Sequence, residues 1–422
     1  MAERFNRNIA KAFFCVDYPS QSWYFDTTMT SIVRKKNIIL KKHEERRLLN
    51  GHQWIFSNEI HAANGAPKSG DIVEILRHDM KKLGVGFYNP HSLIAARFLT
   101  ADDEEIDFQF FERRIRSALA LREKLYPKSG TFRLVNSESD FLPGVIIDKY
   151  NEYLSIQTFS AGMDERLTLL CDVLVSVFSP RGIVERNESP LRSLEQLPQR
   201  KGILRGSVDP TIIELNSLKF RVDVLEGQKT GFYLDQRENR TLVRPYAKHA
   251  TVLDCFCNEG GFGMYASHFG AKDVTCVDSS EFAIEKCKVN VMLNELQNIS
   301  YHCADAFQFL SSAHQQEKRY DVIILDPPSF AKNKKTVATA VKGYKEVNAG
   351  ALALLNSGGI LITASCSHHI SEETFLNAVQ ESGVKAKRKL RLLQTAGAAP
   401  DHPTLVAMPE TKYLKLAVFS VE

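Results

Sequence analysis

The sequence predicts an α/β protein in which a mostly parallel sheet, covered by helices on both faces, follows a small β-rich module and an α/β middle segment. Three observations carry this expectation. From about Lys219 onward, strand-like and helix-like segments alternate, the pattern of a parallel sheet. Acidic residues recur where those strands run out, the place where ligands sit in such sheets. Between Ile32 and Leu99, short alternating runs are broken by turn signals at Pro67 to Gly70 and at Asn89-Pro90.

The composition narrows the function classes. A chain of 422 residues with 44% hydrophobic and 25% charged content is long enough for two or three cores, and whole-chain disorder is excluded. No apolar run approaches the roughly 20 residues that cross a bilayer, and the first residues lack a signal-peptide core, so a soluble cytoplasmic protein without membrane association is expected. The 8 cysteines form no CxxC pair, and Cys255 and Cys257 stand one residue apart, so reduced thiols and no metal are expected. The net charge is only +4, from 54 basic and 50 acidic residues. Any nucleic-acid surface must therefore be local.

Residues 1–28 have no clear period and read as a disordered leader ahead of Met29. Residues 29–104 form the β-rich module, whose basic residues, among them Arg34, Lys35 and Lys41, stand near Trp54 and Phe56 in the chain. That combination suits a phosphate backbone beside stacked bases; the alternative is a solvated charged face. Residues 105–215 combine a helix over IDFQFFERRIRSALALREKLY, strands GVIIDKY and YLSIQTFS, and a helix from Asp164 to Phe178. PQRKGILRG reads as a connector, although Ile203 and Leu204 could begin another strand.

Residues 216–422 carry the chemistry. The strand TVLDCFC leads through Asp254 into Gly260 and Gly261, where missing side chains let backbone approach a ligand and turn tightly into a helix. DVTCVD ends at Asp278, beside Ser279, where a carboxylate can take both hydroxyls of a ribose. Asp305 follows the third strand and could face an adenine amine; alone, it could equally be a helix N-cap. YDVIILD ends in Asp326-Pro327-Pro328-Ser329-Phe330, where two prolines fix the backbone so that Asp326 can hold the edge of a planar base, with Phe330 available for stacking. Lysines follow, including Lys332 and Lys345, and these could meet phosphates. GGILITAS then delivers Cys366 at a strand end, followed by His368 and His369, which could depress its thiol pKa or be uninvolved loop residues.

Taken together, GQKTGFYLDQRENR, NEGGFG, CVD, LDPPSF, GYKEVN and ASCS resemble the bacterial 23S ribosomal RNA 5-methylcytosine methyltransferases that carry an N-terminal PUA domain. The resemblance runs from about Ile32 to the end, although Cys257-Asn258-Glu259 stand where many relatives have Ser-Tyr-Thr. It implies a Rossmann-like class I methyltransferase domain, S-adenosylmethionine as cofactor and 23S rRNA, naked or in a large-subunit precursor, as partner; a homodimer is compatible with it. Carried over residue by residue, it implies that Tyr233, Gln236 and Arg240 cover the methionine end of the cofactor, with Asp254, Gly260, Gly261, Asp278, Ser279, Asp305 and Asp326 completing the site. Cys366 would be the nucleophile at cytosine C6, and Asp326 would stabilise the ring. Pro327, Phe330, Lys332, Tyr344, Lys345, Arg34, Lys35 and Lys41 would meet the RNA. The competing expectations are exocyclic-amine methylation without a thiol, a nicotinamide dehydrogenase, and an RNA-binding assembly factor that has lost turnover.

Overall fold

Among the described residues, alternating apolar residues build three large sheets and one two-stranded hairpin, and the last large sheet positions the site. In the computed structural model, residues 36–331 and 333–422 are described, apart from the side chain of Lys334. The leader at 1–28, Arg34, Lys35 and Lys332 lie outside the described residues.

The first sheet has six strands in the order Trp54–Ile55, Ala96–Thr100, Lys82–Tyr88, Ile72–Leu76, Asn37–Leu40, Ile60–Asn64. Its core is Ile38, Leu40, Ile55, Val73, Ile75 and Ala96. The basic run ahead of it is less open than its sequence suggests. Lys36 pairs with Asp71 at 2.7 Å, Arg47 with Glu59 at 3.0 Å, and the Arg47 guanidinium lies 4.8 Å from the Phe56 ring centroid. Lys41 is exposed and donates to the Asn58 carbonyl at 2.7 Å.

The second sheet runs Arg200–Gly206, Gly182–Asn187, Tyr153–Thr158, Val145–Tyr150, Thr131–Asn136. The PQRKGILRG connector reading is thereby corrected: residues Arg200–Gly206 are a strand, antiparallel to Gly182–Asn187. The predicted helix from Asp164 is two helices, Ala161–Glu165 and Leu167–Phe178, which share Arg166 as the cap between them. A hairpin, Thr211–Leu215 and Leu218–Val222, follows. Its turn residues Asn216 and Ser217 both have positive φ, 45° and 74°, as a two-residue turn matched to strand twist requires.

The third sheet has seven strands: β1 Thr251–Cys255, β2 Asp273–Asp278, β3 Ile299–Cys303, β4 Tyr320–Leu325, β5 Leu355–Ser365, β6 Leu390–Ala396 and β7 Lys415–Val421. Their order is β3-β2-β1-β4-β5-β7-β6. The first five run parallel, and β7 is antiparallel to both β5 and β6. Side chains alternate between the faces, as the strand period of two demands. Val252, Val274, Val322, Ile324 and Ile362 join one core, with helices α1 Gly261–His268 and α2 Glu281–Leu293. Leu253, Val277, Ile323, Leu325 and Leu361 join the other, with α3 Ala306–Gln315, α4 Val337–Leu354 and α5 Glu372–Lys385. The strand order reverses between β1 and β4. The crevice above that switch point is where such sheets bind ligands.

Buried charge pairs tie the last segment to the second sheet. Arg122 holds Asp140 at 2.5 and 2.7 Å and donates to the Asp401 carbonyl at 2.8 Å; Arg133 holds Asp148 at 2.7 and 2.9 Å, and its backbone N–H donates to the Asp401 carboxylate at 2.8 Å.

Candidate active site

Beyond β1 the chain turns through Phe256 and Asn258, both at positive φ, into Gly260 at φ 83° and the start of α1. The glycines here have a steric purpose. A methyl group at Gly261 would lie 2.5 Å from Arg240 Nε, and one at Gly263 would lie 3.2 Å from the Asp254 carboxylate. The Gly263 N–H donates to Asp254 at 2.7 Å, which leaves the other carboxylate oxygen buried without a protein partner. Burial holds the Asp254 carboxyl well above the usual carboxylate range.

Three neighbouring groups also carry uncommitted buried atoms. Arg240 donates one bond, 2.9 Å to the Tyr233 carbonyl, and its Nε and one terminal nitrogen have no partner. Glu259 is 3% exposed and pairs with Lys286 at 3.0 Å, yet one of its oxygens is orphaned. Asp235 has one oxygen orphaned, while the other accepts from Tyr413 at 2.7 Å and faces Lys229 at 3.2 Å. Buried polar atoms are nearly always satisfied, so a cluster of orphans around a glycine turn marks a polar ligand site. Glu259 and Asp235 were missing from the expected set. Glu259 lies where the loop departs from the family pattern, and Asp235 sits inside the quoted YLDQR.

Asp278 accepts from the backbone N–H groups of Asn258 and Ser280, both at 2.9 Å, so the end of β2 is locked to the glycine turn. Ser279 is exposed beside it. Asp305 is exposed and caps α3 by accepting from the Gln308 N–H at 3.1 Å, the alternative weighed for it.

At the end of β4, Asp326 accepts from Gln236 Nε2 at 2.9 Å, and Gln236 is held in turn by Asn239 at 2.6 Å. Burial and the negative charge of Asp235 push the Asp326 carboxyl up to about 6, against the opposing pull of Arg240, Lys229 and Gln236. The Cys366 thiol, just past β5, lies 3.9 Å from the carbonyl of Pro327, a buried residue. The structure therefore brings the Asp-Pro-Pro turn and the cysteine together.

Burial, then the charge of Asp326, pushes the Cys366 thiol up to about 11, and Lys229 pulls the other way. Neither His368 nor His369 is among the main groups acting on it, which agrees with the reading of both as uninvolved loop residues. The His368 ring stacks on Tyr413 at 5.2 Å, and burial, then the charge of Lys415, lowers its own pKa, so it offers the sulfur no positive charge.

Tyr344 is also corrected as an RNA contact. It is fully buried on α4, where its hydroxyl takes 2.8 Å from Ser365 and lies 3.0 Å from Ser367. Ser367 in turn meets Ser329 at 3.0 Å. Lys415 closes the loop with two 2.7 Å bonds to the carbonyls of Ser367 and Ile370. Tyr344 thus braces the strand end that carries Cys366. Tyr344→Phe is expected to lower the unfolding free energy by about 1–3 kcal/mol by removing the buried hydroxyl that Ser365 and Ser367 share, with RNA affinity unchanged; denaturant titration and filter binding check both parts. Phe330 is half-buried, 4.8 Å from the Tyr344 ring, and Lys345 pairs with Glu381 at 2.5 Å.

Comparison with known proteins agrees with this geometry. Residues 38–101 match the PUA-like domain, and residues 206–412 match the S-adenosylmethionine-dependent methyltransferase domain. A Shewanella denitrificans protein named ribosomal RNA large subunit methyltransferase I is 42% identical over 386 residues, 90% of this chain and 97% of its own. This chain belongs to that family. A Tolumonas auensis member is 41% identical over 90% of this chain and 97% of its own. A solved chain from Streptococcus mutans shares the family's fold with a TM-score of 0.79 at 20% identity, covering 91% of this chain and 99% of its own. A second, SMU.776 in complex with SAH, reaches 0.80 at 21%, with 91% and 99% coverage. These two likenesses bear on the fold alone.

The chain is therefore an S-adenosylmethionine-dependent methyltransferase with an N-terminal PUA-like domain and a C-terminal class I domain. Its residues fit the cofactor. The orphaned atoms of Arg240, Glu259 and Asp254 surround the glycine turn, and a side chain at Gly261 would fill the space. Gly261→Ala is expected to displace Arg240 and weaken S-adenosylmethionine binding about tenfold, roughly 1.4 kcal/mol, as measured by calorimetry. Among the described residues no cluster suits a metal ion, and no helix is long and apolar enough to cross a membrane.

Proposed function

We propose that this protein methylates C5 of a cytosine in 23S rRNA, in the cytoplasm, with Cys366 as the nucleophile. The observation that carries the reading is the Cys366 thiol lying 3.9 Å from the Pro327 carbonyl, on the turn that presents Asp326. Support for the substrate comes from the names of the relatives, which place their activity on large-subunit ribosomal RNA.

Cytosine C5 is a weak nucleophile until a thiolate adds at C6. In this reading the Cys366 thiol gives its proton to the Asp326 carboxylate as the sulfur–C6 bond forms. The C5–C6 electron pair moves to the C4–C5 bond, and the C4–N3 pair moves to N3, which takes the proton from Asp326. When bound, S-adenosylmethionine would supply an electrophilic sulfonium methyl for the electron-rich C5. Solvent water takes the C5 proton, the C5–H electron pair forms the C5–C6 double bond and expels the thiolate, and the N3 proton returns through Asp326 to the sulfur. Tyr233, Gln236, Arg240, Asp254, Gly260, Gly261, Asp278, Ser279 and Asp305 would hold the cofactor. Pro327, Phe330 and Lys345, with the exposed Lys41 on the PUA-like domain, would meet the RNA, together with Arg34, Lys35 and Lys332.

Methylation of an exocyclic amine is favoured by one observation: the thiol is pushed up to about 11 and so is protonated in the free chain. The two readings separate in one experiment. Labelled S-adenosylmethionine and 23S rRNA from a strain lacking the gene are expected to yield labelled 5-methylcytidine after digestion to nucleosides. Label in an N-methylated nucleoside, or no label, would overturn the C5 reading.

A further inference from the structure

The strands of the third sheet have a second set of ends, opposite the crevice. There the turns that feed β1, β2, β4 and β6 are joined by one run of hydrogen bonds. Arg388, ahead of β6, donates to the carbonyls of Leu355 and Asn356 at 2.8 and 2.9 Å. The Asn356 side chain donates to Asp321 on β4 at 2.7 Å, and the other Asp321 oxygen accepts from the Thr251 N–H on β1 at 2.8 Å. The Lys272 N–H, ahead of β2, donates to the Ala250 carbonyl at 2.8 Å. These bonds commit Arg388 and Asp321 to the fold and fix the four turns side by side.

The side chains left over in those turns are mostly cationic. Lys248, Lys272, Lys318, Arg319, Lys387 and Lys389 are all exposed, and none of them forms an ion pair among the described residues. Asp273 and Glu317 are the exposed carboxylates in the same turns, while the nearby Glu422 is paired with Arg391 at 2.6 Å. A merely solvated face intersperses both signs; unpaired cations gathered on one face are the electrostatic footprint of a polyanion site. From β2 to β6 the band crosses five strand spacings, about 24 Å. That breadth suits several phosphates in succession and exceeds a single nucleotide. The crevice lies a strand length away, about 20 Å, so phosphates on this face belong to another part of the RNA than the target base.

We propose that the amino-end face of the third sheet is a second RNA-binding surface, which grips the phosphodiester backbone of the ribosomal RNA substrate at a segment remote from the methylated base. The proposal rests on ribosomal RNA as substrate and is independent of which atom is methylated. Contacts of this kind carry no sequence information; they anchor and orient the RNA while the crevice reads the base.

The test compares three full-length proteins: wild type, a variant with Lys272→Gln, Lys318→Gln, Lys387→Gln and Lys389→Gln, and a variant with Lys272→Arg, Lys318→Arg, Lys387→Arg and Lys389→Arg. Filter binding to 23S rRNA is measured across salt. In the glutamine variant the slope of log affinity against log salt is expected to flatten by about 3, with affinity at about 0.1 M salt at least tenfold lower. The arginine variant should stay within about threefold of wild type, because a guanidinium also meets phosphate. In steady state the glutamine variant should raise KM for RNA by at least about tenfold and leave kcat and S-adenosylmethionine affinity unchanged. A glutamine variant whose slope and affinity superimpose on wild type would overturn the proposal. So would a fall in kcat with RNA affinity retained, which would mark a packing role. Should the fourfold variant unfold, the pair Lys387→Gln and Lys389→Gln takes its place, with about half the change in slope. Failure of the C5 reading appears as a labelled N-methylated nucleoside and leaves the salt slope untouched, so the two failures are distinguishable. A wild type that does not bind 23S rRNA would overturn both.

Discussion

Cys366→Ala is expected to abolish methyl transfer to RNA while leaving the fold and S-adenosylmethionine affinity intact. The loss should be at least about 10³-fold, roughly 4 kcal/mol of transition-state stabilisation, because the residue that forms the covalent bond has no substitute in the site. The side chain is small and only partly buried, and its sulfur makes a 3.9 Å approach to a carbonyl, so truncation removes little packing. Single-turnover assays and calorimetry with S-adenosylmethionine measure the two parts separately. Retained turnover in a folded alanine variant would mean that the thiol is structural and would leave the Asp326 turn to methylate an amine.

The second large effect concerns pH. The Cys366 thiol is pushed up to about 11 and the Asp326 carboxyl up to about 6, so between those values the free chain holds a thiol beside a carboxylate. The reactive arrangement, thiolate beside carboxylic acid, carries the same number of protons, so its share does not change with pH across that window. Wild-type kcat/KM is therefore expected to be flat from about pH 6.5 to about 8.5. In Asp326→Asn the proton has no carboxylate to go to, and the thiolate fraction rises tenfold per pH unit below the thiol pKa. The variant should accordingly lose about 10²–10³-fold near pH 7 and climb by about one log unit per pH unit. Parallel profiles for the two proteins would contradict the proton path from Cys366 through Asp326.

Much of this site was legible in the sequence because its parts lie at strand ends. An apolar run that stops at an acidic residue or a glycine pair marks where β1, β2 and β4 open into the crevice, and Asp254, Asp278, Asp326 and Cys366 all sit there. Less visible were the parts that depend on tertiary packing. Arg200–Gly206 is rich in basic residues and glycine, so its strand character comes from pairing with Gly182–Asn187 rather than from propensity. The edge strand Leu390–Ala396 is mostly exposed and shows no alternation. Tyr344 reads as a surface aromatic among lysines, but it falls on the inner face of α4. The Lys229–Asp235–Tyr413 cluster joins two neighbouring residues to one far along the chain, and no spacing announces it.

The most direct test of the account is covalent trapping. Wild type and Cys366→Ala are incubated with S-adenosylmethionine and 23S rRNA containing 5-fluorocytosine, and a denaturation-resistant protein–RNA adduct is sought and mapped by peptide mass spectrometry. Fluorine cannot leave C5 as a proton does, so the account predicts an adduct in wild type, located at Cys366, and none in the alanine variant. Methylation of unsubstituted rRNA by a wild-type protein that forms no adduct would contradict it.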